Sequence, residues 1–108
     1  MAELETSAGM GRLEILNGGF EGMTYDLTAD EIVIGRNPTT DITLLDEGIS
    51  REHAVILYDP DALAYVIEDL QSTNGTKLNG KRIRSAPLNE GDEIQIGQTL
   101  FRFVLVKP

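Results

Sequence analysis

Three short clusters hold most of the residues able to do chemistry in this 108-residue chain. The first is Gly35-Arg36-Asn37-Pro38-Thr39-Thr40-Asp41. The second is Ile49-Ser50-Arg51-Glu52-His53-Ala54. The third is Asp69-Leu70-Gln71-Ser72-Thr73-Asn74-Gly75-Thr76, followed by Leu78-Asn79-Gly80. Ser50 and His53 invite reading as a nucleophile and its base. That reading fails on its missing parts: a triad also needs an orienting acid and an oxyanion hole, and no Gly-x-Ser-x-Gly elbow is present. What remains is a donor set. An arginine fork matches a phosphate or carboxylate, and serine, threonine and asparagine side chains add hydroxyl and amide donors. Each residue also has a plainer alternative. Arg36 alone reads as a surface arginine in an ion pair, Ser50 as a turn residue, and Ser72-Thr73-Asn74-Gly75 as a well-formed turn.

Composition narrows the classes. There are 18 Asp and Glu against 9 Lys and Arg, a formal net charge of −9. This argues against a nucleic-acid binder, which needs basic residues in excess, and against docking on anionic membrane. The absence of cysteine removes disulfides, thiol catalysis and thiolate metal sites together. With His53 the sole histidine, no multi-histidine metal site can be built. Asp41, Asp46 and Glu47 lack the dense alternation of a calcium loop, so they read as loop solvation. No metal and no cofactor is expected. No apolar stretch approaches the ~18 residues that span a bilayer, and the start of the chain has no signal-peptide pattern. A cytoplasmic protein is the expectation.

The clusters must be held by short strands. Leu13-Glu14-Ile15, Met23 to Leu27, Glu93 to Ile96 and Phe101 to Leu105 alternate at period two. Ile32-Val33-Ile34, Ala54 to Tyr58 and Tyr65-Val66-Ile67 are short apolar runs bounded by turn signals. No segment has a helical period, and turns recur about every 8–12 residues, the pattern of an all-β sandwich or barrel. Asn79-Gly80 is the dipeptide favoured in a two-residue type I′ hairpin, and Gly97-Gln98 is a second hairpin candidate. Residues 1–11 are expected to form a flexible N-terminal tail, and residues 12–108 one domain. In such a fold, function lies in the loops at one end of the sandwich.

In order and spacing the three clusters resemble the signature of forkhead-associated (FHA) domains: Gly-Arg, then Ser-x-x-His, then an Asn-Gly-Thr block ending in Asn-Gly. The resemblance covers about residues 12–106. It implies an all-β, two-sheet β-sandwich of about eleven mostly antiparallel strands. It also implies a phosphothreonine-peptide recognition module in Ser/Thr kinase signalling, with no catalytic activity. By resemblance, Arg36, Ser50, Arg51 and Thr73 bind the phosphate, and Asn74 and Asn79 hold the peptide backbone. Gly35, His53 and Gly75 support the site. Arg51 has a live competing role, since Glu47 and Glu52 are near enough in sequence to pair with it.

The implied partners are phosphothreonine-containing proteins, a Ser/Thr kinase or its substrates, with no nucleic acid and no membrane insertion. Thr6, in the tail, offers itself for phosphorylation and capture by the same site or a neighbouring copy. Selectivity for flanking residues is expected in loops such as 37–41 and 79–84. Lys77, Lys81, Arg82 and Arg84 form a basic cluster in an acidic chain, either a focusing patch for anionic peptides or a solvated hairpin. The competing function is a phospho-independent interaction or scaffold domain of the same fold.

Overall fold

Eleven strands carry the alternating segments of the sequence, and the computed structural model describes residues 10–106. They are β1 (Met10–Ile15), β2 (Thr24–Asp26), β3 (Glu31–Gly35), β4 (Ile42–Thr43), β5 (Ala54–Asp59), β6 (Ala64–Asp69), β7 (Thr76–Leu78), β8 (Lys81–Ile83), β9 (Ser85–Pro87), β10 (Glu93–Ile96) and β11 (Thr99–Val106). The sole helical element described is a 3-10 turn, Gly18–Phe20. One sheet runs β2-β1-β11-β10-β7-β8 and the other β4-β3-β5-β6-β9. All strand pairs are antiparallel except β3 with β4. This is the two-sheet, mostly antiparallel sandwich expected.

Period-two patterning decides which face of each strand is buried. Leu13 and Ile15 of β1 lie opposite Phe103 and Phe101 of β11, and Ile94 of β10 also faces Phe101. All five are fully or almost fully buried. From the second sheet, Ile32 and Ile34 of β3, Ala54 and Ile56 of β5, and Tyr65 and Ile67 of β6 complete one continuous core. Tyr65 bridges the layers. Its ring meets Phe103 edge-on at 5.5 Å and Tyr58 at 5.1 Å, within the separation at which such pairs attract.

The domain starts earlier than expected. Met10 and Gly11 belong to β1, not to the tail. The Gly11 amide donates to the Tyr65 hydroxyl at 3.1 Å. A β-carbon on Gly11 would meet Tyr65, Leu27 and Phe103 at 2.9–3.0 Å, so this glycine permits close packing. The rest of the expected tail, Thr6 included, lies outside the described residues.

Both hairpins form where the dipeptides place them. Asn79 and Gly80 join β7 to β8 with φ of 51° and 87°, the positive values a type I′ turn requires. Gly97 and Gln98 join β10 to β11. No helix among the described residues is long and apolar enough to cross a membrane.

Candidate functional site

Three loops meet at one end of the sandwich: residues 36–41 after β3, residues 44–53 before β5, and residues 70–75 between β6 and β7. Backbone bonds tie the first two. The Arg36 amide donates to the Ser50 carbonyl at 3.0 Å and the Asn37 amide to the Arg51 carbonyl at 3.1 Å. This approach is so close that a β-carbon on Gly35 would collide with the Arg51 carbonyl oxygen and stand 2.7 Å from its carbonyl carbon. Backbone cannot yield as a flexible side chain does, which is why glycine precedes Arg36.

His53 ties the second loop to the third. It is completely buried. The Ser50 amide donates to its Nδ1 at 3.1 Å, and its Nε2 lies 2.8 Å from the Gly75 carbonyl oxygen. Since Nδ1 accepts, Nε2 carries the hydrogen and donates to Gly75. The Ser50 hydroxyl oxygen accepts the Thr73 amide at 3.0 Å, and the Asn74 side-chain amide donates to the Gly48 carbonyl at 2.9 Å.

The Asp69 carboxylate, to which the FHA resemblance assigns no role, rigidifies the third loop. Asp69 accepts from the Ser72 hydroxyl at 2.6 Å, the Thr76 hydroxyl at 2.7 Å and the Ser72 amide at 3.0 Å. The Ser72 hydroxyl in turn accepts the Gly75 amide at 2.9 Å. Burial pushes the Asp69 carboxyl up, but these hydrogen bonds outweigh it and hold the group below the ordinary aspartate range. Asp46 works similarly for the second loop. It accepts the Gly48 amide at 2.9 Å and the Gln98 amide at 2.9 Å, and these two bonds lower its carboxyl. Asp41 accepts the Val33 amide at 2.8 Å. The expectation of mere solvation for Asp41 and Asp46 is therefore corrected: both are backbone anchors. Short Asp-x-x-Ser and Asp-x-Gly spacings are the sequence trace of such turns. Among the described residues no cluster of acidic or imidazole groups is arranged to hold a metal ion.

The result is a shallow cavity of about 130 Å³ lined by Arg36, Glu47, Gly48, Ile49, Ser50, Thr73 and Asn74. Arg36, Ser50, Thr73 and Asn74, the residues singled out by the FHA resemblance, all line it. Arg36 Nε donates to the Ile49 carbonyl at 3.0 Å, which fixes the guanidinium plane and leaves its two terminal nitrogens unused among the described residues. Ser50 spends its acceptor on Thr73 and keeps its hydrogen to donate. Asn74 gives one N–H to Gly48 and keeps its carbonyl oxygen and a second N–H. The cavity therefore presents cationic and hydroxyl donors for an oxyanion, and one amide acceptor for a backbone N–H.

Two expected residues stand elsewhere. Arg51 is exposed and does not line the cavity. It forms no ion pair with Glu47 or Glu52, since the described ion pairs are Arg12–Asp26, Arg102–Glu14 and Arg102–Glu93. Asn79 is committed to the fold: its side-chain amide donates to Asp92 at 3.0 Å and its side-chain oxygen accepts the Glu93 amide at 2.9 Å. Bonded at both ends, this asparagine clamps its hairpin to β10 and keeps one side-chain N–H free. Glu47, by contrast, lines the cavity, a position the sequence reading did not give it.

The family model of the FHA domain matches residues 32–97, well over half of the chain. The chain belongs to the FHA family. FHA domains are phosphothreonine-recognition modules, interaction domains rather than enzymes. The transcriptional regulatory protein EmbR of Mycobacterium tuberculosis is 45% identical over 83 residues, 76% of this chain and 21% of EmbR. The chain thus spans about a fifth of that relative's length. The oxoglutarate dehydrogenase inhibitor of Corynebacterium diphtheriae is 34% identical over 106 residues, 98% of this chain and 71% of that protein. Solved FHA structures agree in fold. EmbR in complex with a low-affinity phosphopeptide matches with a TM-score of 0.84 at 32% identity, covering 98% of this chain and 28% of that one. An FHA domain solved for its phosphothreonine-dependent interactions gives 0.82 at 30% identity, covering 92% and 99%.

Proposed function

We propose that this FHA domain captures phosphothreonine segments of partner proteins in the cavity between Arg36, Ser50, Thr73 and Asn74. One observation carries the reading: an arginine fork, a free hydroxyl hydrogen and an unused amide oxygen line one cavity whose walls are hydrogen-bonded into place.

A phosphothreonine brings about −1.5 to −2 charge and three strong acceptor oxygens. The terminal nitrogens of Arg36 take two of them in a bidentate contact. Ser50 Oγ–H donates to a third position, and the Thr73 hydroxyl adds to it. The Asn74 carbonyl oxygen accepts an N–H of the peptide backbone, which sets its direction across the loops. Ile49, buried beneath the cavity, supplies apolar lining for the threonine methyl. Because Asp69, His53 and Asp46 hold the loops by hydrogen bonds internal to the protein, little ordering is left for the moment of binding. Glu47 acts in the opposite direction, weakening capture of an anion.

The partners are phosphorylated proteins of a Ser/Thr kinase pathway, a kinase or its substrates, met in the cytoplasm. The test is fluorescence anisotropy with a degenerate phosphothreonine library beside its unphosphorylated counterpart. Saturable, phosphate-dependent binding is expected. Equal binding of both libraries would instead favour a phospho-independent scaffold.

A further inference from the structure

On the six-stranded sheet, charges placed opposite one another are complementary at three positions. Arg12 faces Asp26 across β1 and β2, Glu14 faces Arg102 across β1 and β11, and Glu93 faces Arg102 across β10 and β11. All three are ion pairs, at 2.6, 3.8 and 3.9 Å. Lys77 and Arg82 break this rule. They are directly opposite in the β7–β8 hairpin, both are exposed, and neither has a carboxylate partner among the described residues. The neighbour of Lys77 on β10 is the neutral Gln95. Like charges directly opposed destabilise a strand pair. A chain with twice as many acidic as basic residues leaves this pair uncompensated.

The pair is also next to the phosphate cavity. The Arg82 side chain lies across Gly75: a β-carbon there would stand 2.8 Å from Arg82 Cζ. Lys77 lines a second cavity of about 110 Å³ with Asn74, Gly75, Gln95 and Gly97. Asn74 lines both cavities, which makes them neighbours.

We propose that Lys77 and Arg82 form a second anion subsite, which takes an acidic group carried by the same peptide as the phosphothreonine. The group is a side-chain carboxylate or a second phosphoryl group, both of which supply the oxygen acceptors that a lysine and an arginine fork recognise. The inference rests on the Arg36 cavity being the primary phosphate site. It makes Lys77 and Arg82 specificity-determining residues, which set which phosphothreonine is chosen.

The test titrates five peptides into the wild-type domain: one phosphothreonine with neutral flanks, one with acidic residues before it, one with acidic residues after it, and two with a second phosphothreonine, one before and one after the first. On one side, acidic flanks are expected to tighten binding about threefold to tenfold at low salt, falling toward equality near ~1 M salt, where the screening length is ~3 Å. The second phosphothreonine on that side tightens it further if a phosphoryl group is the better occupant, and less if the cavity is sized for a carboxylate.

Lys77→Ala and Arg82→Ala should each erode the preference while leaving the neutral-flank peptide unchanged. Lys77→Glu should reverse the preference and raise the melting temperature, because it creates a complementary pair with Arg82. A preference that survives in the Lys77→Ala/Arg82→Ala double variant, no preference on either side, or a Lys77→Glu domain that melts lower would overturn the subsite. Failure of the wild type to bind any of the five peptides would overturn the primary site, and the subsite with it.

Discussion

His53 meets Ser50 through the backbone amide, not through the hydroxyl. Its other ring nitrogen is occupied by the Gly75 carbonyl. Neither nitrogen is left to take a proton from Ser50 Oγ, so the pair that looks like a nucleophile and base is a clamp between two loops. The Ser50 hydroxyl keeps its O–H to donate, and Ser50 lines the cavity that Arg36 also lines.

His53→Ala should therefore destabilise the domain rather than abolish a reaction. It strands a part-buried backbone donor and a buried acceptor, each costing about 1–3 kcal/mol, so a total loss of roughly 2–6 kcal/mol is expected from the denaturant midpoint. An unchanged midpoint would show that the two loops do not depend on the imidazole.

Gly35→Ala should be similarly harmful, for a steric reason. The new methyl would occupy the position of the Arg51 carbonyl. Such overpacking costs about 1–3 kcal/mol or more. It should weaken phosphopeptide binding too, since the displaced strand end carries Arg36. Thermal melting and titration of the same sample check both effects.

Acid should loosen the site loops before neutral pH has any effect. Asp69 is held below its ordinary range in the folded state. A lowered folded value means that its contribution is present above the unfolded value, about 3.9, and is lost as pH falls through the folded one. Asp46 contributes with the same sign. Asp69→Asn should be less stable than the wild type at neutral pH, and the gap should shrink as pH falls from about 5 toward 3. Denaturation curves over that range would contradict the account if the gap stayed constant.

Glu47→Gln should tighten phosphopeptide binding. The carboxylate lines the anion cavity without an ion-pair partner among the described residues. Removing an exposed charge of the wrong sign is worth about twofold to fivefold at low salt. Weaker binding by the variant would mean that Glu47 contacts the peptide as an acceptor.

The fold and the shape of the site were largely legible in the chain. Period-two alternation in Leu13-Glu14-Ile15 and Phe101 to Leu105 marked facing strands, and Asn79-Gly80 marked its turn, because both signals arise from local geometry. The resemblance to the FHA signature singled out Arg36, Ser50, Thr73 and Asn74, which line one cavity. What did not show was which donors are consumed internally. The Asn79 side chain is tied to Asp92 and Glu93, thirteen and fourteen residues away. Asp46 reaches the Gln98 amide, 52 residues on. Gly11 belonged to a strand because Tyr65 needed a backbone donor and room for its ring, a demand made from across the sandwich. Long-range pairing of this kind leaves no local pattern.

Phosphate recognition falls above all to Arg36. The most direct test is calorimetric titration of one phosphothreonine peptide and its unphosphorylated twin into wild type and Arg36→Ala. The wild type should bind only the phosphorylated peptide. Arg36→Ala should lose about 2–5 kcal/mol of that affinity while the domain stays folded, with a modestly lower melting temperature from the lost Nε bond to the Ile49 carbonyl. An Arg36→Ala domain that binds the phosphopeptide as tightly as the wild type would contradict the assignment.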